Sequence, residues 1–230
     1  MNSRCSIMQS NIFKNSRAME EKIHFDDIIS AFGGIKQANF KDKGKYACRI
    51  SRLVFEELRS AGVDTWYVRE EGERDLICMK LEKMPLQFIV RNRMVGTLAH
   101  LVCQEEGFRI PNVIHELRYL NKDLCNPMIN NDYAVALGFA SYDELGQMRE
   151  IADKSNAALK HFFHKAGIEL VDFKLEFGKT AEGRILVACC ISPDNCRLWD
   201  EESGRILDKD RFRQDLSDVC ASYREVMERL

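Results

Sequence analysis

Around Leu170 the chain reads LVDFKLEFG, in which Phe173, Leu175 and Phe177 alternate with Asp172, Lys174 and Glu176. This period of two predicts a strand with one buried face and one polar face. A short polar turn carrying Gly178 and Gly183 follows, and then a second apolar run, RILVACCISPDNCRLWD, which ends at Asp200. Two apolar runs around such a turn predict a β-hairpin. A hairpin could aim Lys174, Glu176, Asp194 and Arg197 into one cleft, with Asp172 on the face of Lys174 and Glu176, and with Cys189 and Cys190 between them.

Elsewhere the apolar period lengthens. Ile50, Leu53, Val54 and Leu58 share a helical face, and Gly62 lies just past the expected end at Ser60. Strands are expected near 65–69, 75–81 and 86–91, with Pro85 breaking the pattern before the last. Ser141 to Glu144 form a capping-box pattern that opens a long helix through Leu145, Met148, Ile151, Leu159 and Phe163. Lys165 in its last turn and Gly167 beyond provide a stop. A final helix is expected from about Asp210, carrying Phe212, Leu216, Val219 and Val226. The mixture predicts an α+β fold, a mostly antiparallel sheet with helices packed on it.

Composition narrows the function classes. At 230 residues the chain can bury roughly 70% of its unfolded surface, so no disulfide staples are needed. A net charge of −2 gives no bulk attraction to nucleic acid or an acidic membrane, so any anion site must be local. The apolar runs are too short to span a bilayer. The first 20 residues have no continuous apolar core, so they read as a lead-in rather than a secretory signal. Nine cysteines without a C-x-x-C pair, mostly in apolar contexts, predict a reduced, cytoplasmic setting.

Two arginines stand out as anion ligands. Arg91 leaves a strand end just before Gly96 and Thr97, where a guanidinium fork, backbone N–H groups and a hydroxyl could meet an anion. The alternative is a surface arginine and a helix cap. Arg197 follows Pro193 and Asp194, and Asp194 could orient an arginine or accept from a ribose hydroxyl, or make a turn. Lys174 could meet a ligand carboxylate and Glu176 a metal, or the two could form an exposed ion pair. His161 and His164, three apart on the long helix, could chelate a metal, but no third ligand is evident and solvated histidines are the simpler reading. Trp199 reads as a core or hinge aromatic.

These blocks resemble the SAICAR synthetase (phosphoribosylaminoimidazole-succinocarboxamide synthase) family, from about Phe25 to the C-terminus. The resemblance is carried by Val90–Arg93 with Gly96–Leu98, Asn126–Asn130, Leu170–Gly178, Ile191–Asp200 and Leu207–Arg213. It implies a two-lobed α+β fold with ATP between the lobes. It divides the chain into a lead-in at 1–20, a smaller β-rich lobe at 21–85 and a larger lobe at 86–230 with the ribotide pocket. It implies ATP- and magnesium-dependent joining of carboxyaminoimidazole ribonucleotide to aspartate, and commonly a homodimer. It also places the ribotide phosphate against Arg91, Thr97 and Arg197, Lys174 near the substrate carboxylate, and Glu176 at the metal.

Departures from the family pattern cluster on the nucleotide side. Its N-terminal phosphate-covering loop has only Asn15–Ala18 as a match. Met79 stands for a lysine, Gln87 for a glutamate, Asn126 for an aspartate, Cys189–Cys190 for an Asp-Glu pair and Ile28 for an acid. Cations and hard oxygen donors are therefore lost where magnesium and phosphates would need them. The expectation is a diverged relative that still binds a phosphoribosyl nucleotide but has changed or lost ATP use. The alternatives are a working SAICAR synthetase and a non-catalytic binding or regulatory module.

Overall fold

The structure, a computed structural model, describes residues 19–230. Three strands open it: β1 (Glu20–His24), β2 (Ile28–Ala31) and β3 (Lys36–Asn39). Helix α1 (Lys43–Ser60) follows, then β4 (Tyr67–Glu71), β5 (Asp75–Met79), β6 (Glu82–Met94), α2 (Gly96–Leu101), β7 (Phe108–Tyr119), β8 (Met128–Ile129) and α3 (Asn131–Ala136). The last part holds α4 (Tyr142–Lys165), β9 (Ile168–Lys179), β10 (Ile185–Val187), β11 (Cys196–Asp200), α5 (Asp210–Arg213) and α6 (Val219–Arg229). The ladders are antiparallel and make a three-stranded sheet in the order β1-β5-β4, a pair β2-β3, and a six-stranded sheet in the order β10-β9-β6-β7-β8 with β11 also on β9.

β9 organises the large sheet. Phe173, Leu175 and Phe177 are fully buried in the main core, and Phe177 meets Phe88 of β6 edge-to-face. α4 covers this face through Leu145, Met148, Leu159 and Phe163. Its start has the expected reciprocal cap, Ser141 accepting from the Glu144 N–H and the Glu144 carboxylate from the Ser141 N–H. The opposite face of β9 presents Asp172, Lys174 and Glu176.

Four local expectations are corrected. α1 begins at Lys43, seven residues before Ile50, because Lys43, Gly44, Ala47 and Cys48 are also buried. While Ile50, Val54 and Leu58 join the main core, Ala47, Cys48 and Phe55 join a second cluster with Trp66 and Cys78. Pro85 does not break β6. The strand runs through it, and the pairing to β9 shifts between Lys83 and Gln87, where a residue without an N–H can be accommodated.

The second run of the hairpin is not one strand. β10 pairs with Phe177–Lys179, the chain then leaves the sheet at Ala188, and β11 returns to pair lower on β9. A turn closed by Ser192 and Asn195 across Pro193 makes the detour. Likewise the last helix is two, because Asp215 and Asp218 adopt left-handed conformations between α5 and α6. No helix among the described residues is long and apolar enough to cross a membrane.

Candidate active site

The polar face of β9 looks into a cavity of about 650 Å³ walled by β6, the start of α2, the 192–197 turn and α5. Arg91, Thr97, Lys174, Asp194 and Arg197 all line it, so five of the six expected site residues are brought together. Glu176 does not line it. One position further along the polar face of β9, it accepts a hydrogen bond from Gln87 at 2.9 Å.

The arginines have different freedom. Arg91 is 3% exposed; it donates through Nε and Nη2 to Glu116 and through Nη1 to Asp172 and the Val95 carbonyl. It is a buried, heavily paired group rather than a fork open to solvent. Arg197 donates through Nε to Asp210 at 2.6 Å and through Nη1 to Asp172 at 2.6 Å, which leaves Nη2 without an acceptor among the described residues. Nη2 lies against Gly96, whose φ of +60° and lack of a side chain allow the approach: a Cβ there would sit 2.7 Å from Nη2. Asp172 is therefore the shared anchor of both guanidiniums.

Lys174 has no ion-pair partner among the described residues. Burial lowers its pKa, and Arg213 lowers it further, while Asp172 opposes the shift. A largely desolvated ammonium in a cavity is set up to receive an anion. Asp194 is held at both oxygens, by the Tyr223 hydroxyl at 3.1 Å and the Lys43 ammonium at 3.2 Å. The turn role falls instead to Asn195, whose side chain accepts from the Ser192 N–H. Thr97 faces the cavity with an exposed side chain.

Several wall residues are not singled out by sequence reasoning. Asp210 and Arg213 come from the short α5, and Arg213 pairs with Asp210. Their signal is the charge-dense block Asp208–Arg213. Asp208 is buried and its pKa is pushed up to about 7 by that burial and by Asp210. Burial also works against ionisation of Asp210, but Arg197 and Arg213 outweigh it and hold its pKa low. Asn126 stands out in the sequence only as a departure from the family pattern. It lines the cavity with its Oδ1 buried and unpartnered, an acceptor ready for a ligand N–H.

The expected metal locus is chemically different. Glu176 is engaged by Gln87, and the Glu176 N–H donates to Cys189 Sγ at 3.2 Å. Burial pushes the Cys189 thiol up to about 12 and the Cys190 thiol well above its ordinary value. Cys190 and Met79 pack against an apolar cluster with Trp66, Cys78 and Ala188. Magnesium demands hard oxygen ligands in near-octahedral array, and one amide-bound carboxylate among neutral thiols does not provide it. Among the described residues no group of three His, Cys, Asp or Glu is arranged for a metal ion. His164 pairs with Glu201 at 2.8 Å, so the His161–His164 chelate does not form. The Asn15–Ala18 match lies outside the described residues.

Comparison with known proteins accounts for this assembly. A model of the SAICAR synthetase family matches residues 10–230. The phosphoribosylaminoimidazole-succinocarboxamide synthase of Dichelobacter nodosus is 44% identical over 208 residues, 90% of this chain and 87% of its own. That of Fusobacterium nucleatum is 43% identical over 208 residues, covering 90% and 88%. A solved SAICAR synthetase in complex with ADP superposes with a TM-score of 0.90 at 43% identity, covering 92% of this chain and 90% of that one. The Pyrococcus horikoshii enzyme superposes at 0.88, also at 43% identity, covering 92% of each. The chain belongs to the SAICAR synthetase family.

Proposed function

We propose that this protein is a working SAICAR synthetase, joining the carboxylate of carboxyaminoimidazole ribonucleotide to the amine of aspartate with ATP. The observation that carries this reading is 44% identity across nine-tenths of the chain to a named synthase. It outweighs the loss of ligation expected from Met79, Gln87, Asn126, Cys189 and Cys190.

In this reading the ribotide phosphate meets the free Arg197 Nη2 and the Thr97 hydroxyl. Arg91, through Asp172, positions Arg197 rather than acting as an open fork. Asp194, held by Lys43 and Tyr223, keeps an oxygen lone pair for a ribose hydroxyl. The Lys174 ammonium neutralises the substrate carboxylate. One carboxylate oxygen attacks the γ-phosphorus of ATP, and ADP leaves with the electrons of the broken P–O bond. The aspartate amine then attacks the acyl carbon, phosphate departs, and the amine loses a proton as the amide forms. Closely held reactants and preorganised charge supply the acceleration. The unbridged thiols of the described residues support a reduced, cytoplasmic workplace.

A coupled assay tests the reading: ADP release must depend on both aspartate and the carboxylated ribotide. A second reading, a ribotide-binding relative without ligation, is favoured by the thiols at the metal locus. Tight ribotide binding with no ADP release would establish it instead.

A further inference from the structure

Past Glu176 along β9, outside the cavity wall, stands a further cation, Lys83, opposite Gly178. Lys83 is an exposed residue, yet its Nζ donates to the buried Ala188 carbonyl at 2.6 Å and lies 3.3 Å from the centroid of the buried Trp66 ring. A solvated surface lysine would hold neither contact. Lys83 of β6 is paired in register with Gly178 of β9, whose missing side chain lets Leu81 and Ala188 close in beside it. A Cβ at Gly178 would crowd Leu81 at 2.8 Å and Ala188 at 3.3 Å. Glu21 and Glu176 lie near enough to favour its charged form, against the burial that lowers its pKa.

The position along β9 matters as much as the tether. Same-face residues two apart on a strand are separated by about 7 Å. If the substrate carboxylate sits at Lys174, its phosphoryl donor must approach to about 3–3.5 Å, and the rest of the triphosphate extends past it. In the direction of Glu176 it passes Gln87 on the cavity wall toward Lys83, which is paired with Gly178 two residues beyond Glu176, and a divalent ion finds there one engaged carboxylate.

We propose that the Lys83 ammonium, held between the Ala188 carbonyl and the Trp66 ring beside Glu176, neutralises the nucleotide's phosphates in place of a protein-bound magnesium ion. This rests on the reading above that ATP enters this cleft. An ammonium is a point charge with three donors, one of them used by Ala188 and one face taken by the indole, so a donor remains for a phosphate oxygen. Nucleotide binding then becomes largely independent of divalent cations.

Isothermal titration of the full chain with ADP, in EDTA and in magnesium, tests this. The expected result is a Kd in EDTA within about fivefold of that in magnesium, and a loss of about tenfold or more in EDTA for Lys83→Met, the size of one charge-assisted hydrogen bond. Cys189→Asp with Gln87→Glu restores hard oxygen donors and is expected to make ADP binding tighten in magnesium by more than about fivefold. A magnesium requirement above about fivefold in the unaltered protein overturns the proposal, as does an unchanged Kd in Lys83→Met that is folded by circular dichroism. Absence of ADP binding under both conditions also overturns it. The ligase reading fails separately, by absence of ADP release in the coupled assay; a magnesium-requiring turnover would leave that reading standing and remove only the role of Lys83.

Discussion

Asp172 is the residue on which the two arginines of the cavity converge, and its loss would be felt at both. It is 3% exposed and accepts from Arg91 at 2.7 Å and Arg197 at 2.6 Å. Asp172→Ala leaves two guanidiniums short of a counter-charge, at a cost on the order of 3–5 kcal/mol, read by urea denaturation. Gly96→Ala acts more narrowly. A methyl group 2.7 Å from Arg197 Nη2 pushes the guanidinium aside, so ribotide affinity is expected to fall roughly tenfold or more while the far-ultraviolet spectrum is unchanged. Lys174→Met removes the cation that β9 offers to the substrate carboxylate and should lower kcat/KM by about 100-fold or more in the coupled assay.

The alternation of β9 makes Asp172, Lys174 and Glu176 legible as one polar face from the sequence alone. It does not reveal that Arg91 is already paired, because Glu116 comes from a strand whose partner and register are not written in local pattern. Nor does it show that Glu176 misses the cavity, since that depends on Gln87 across the sheet. Lys83 is silent in the sequence for the same reason: a lysine near a proline carries no local signal, and its role comes from Gly178, Ala188 and Trp66, which only the folded chain brings together.

Helix α1 shows how an element can be secured from outside itself. Its N-cap position, Asp42, is left-handed and makes no side-chain cap. The first turn is instead met by Asp27, whose carboxylate accepts from the Gly44 N–H at 3.0 Å and is paired with Arg74. That Arg74 hydrogen bond, helped by the N–H groups of Gly44 and Asp42, lowers the Asp27 pKa to about 2. A lowered carboxyl pKa adds stability above the unfolded value near 3.8, and that contribution disappears as pH falls through about 2. Asp27→Asn should therefore be less stable at neutral pH and lose less on acidification across that window, in thermal melts from about pH 7 to 2. The helix body is legible from Ile50, Val54 and Leu58, but its first two turns are not. They contain Lys43, Gly44 and Lys45, and are held by tertiary contacts rather than by helical periodicity.

At the scale of the molecule, the main core draws on β6, β9, α1 and α4 at once. Removing a fully buried aromatic from its centre, as in Phe177→Ala, is expected to cost about 3–5 kcal/mol in the denaturation midpoint analysis. The α+β class and antiparallel pairing follow from the periods of two and 3.6, because those periods are what a half-buried strand and an amphipathic helix impose. Strand order does not, since β9 is joined to β10 by a short turn but pairs on its other side with β6, from far earlier in the chain.

From Asp172 to Phe177, β9 gives Phe173, Leu175 and Phe177 to the core and turns Asp172, Lys174 and Glu176 to the opposite, polar face, and this restricts how the gene can change in length. One residue inserted or deleted between Ile168 and Lys179 rotates every later side chain to the opposite face, driving Lys174 or Glu176 into the core and Phe177 into the cavity. Only changes in pairs preserve the reading of both faces, and even these misalign β11 against Asp172. Length polymorphism among homologous chains should accordingly be confined to the polar turn at 180–184, where a spliced-in glycine is expected to leave folding and turnover intact.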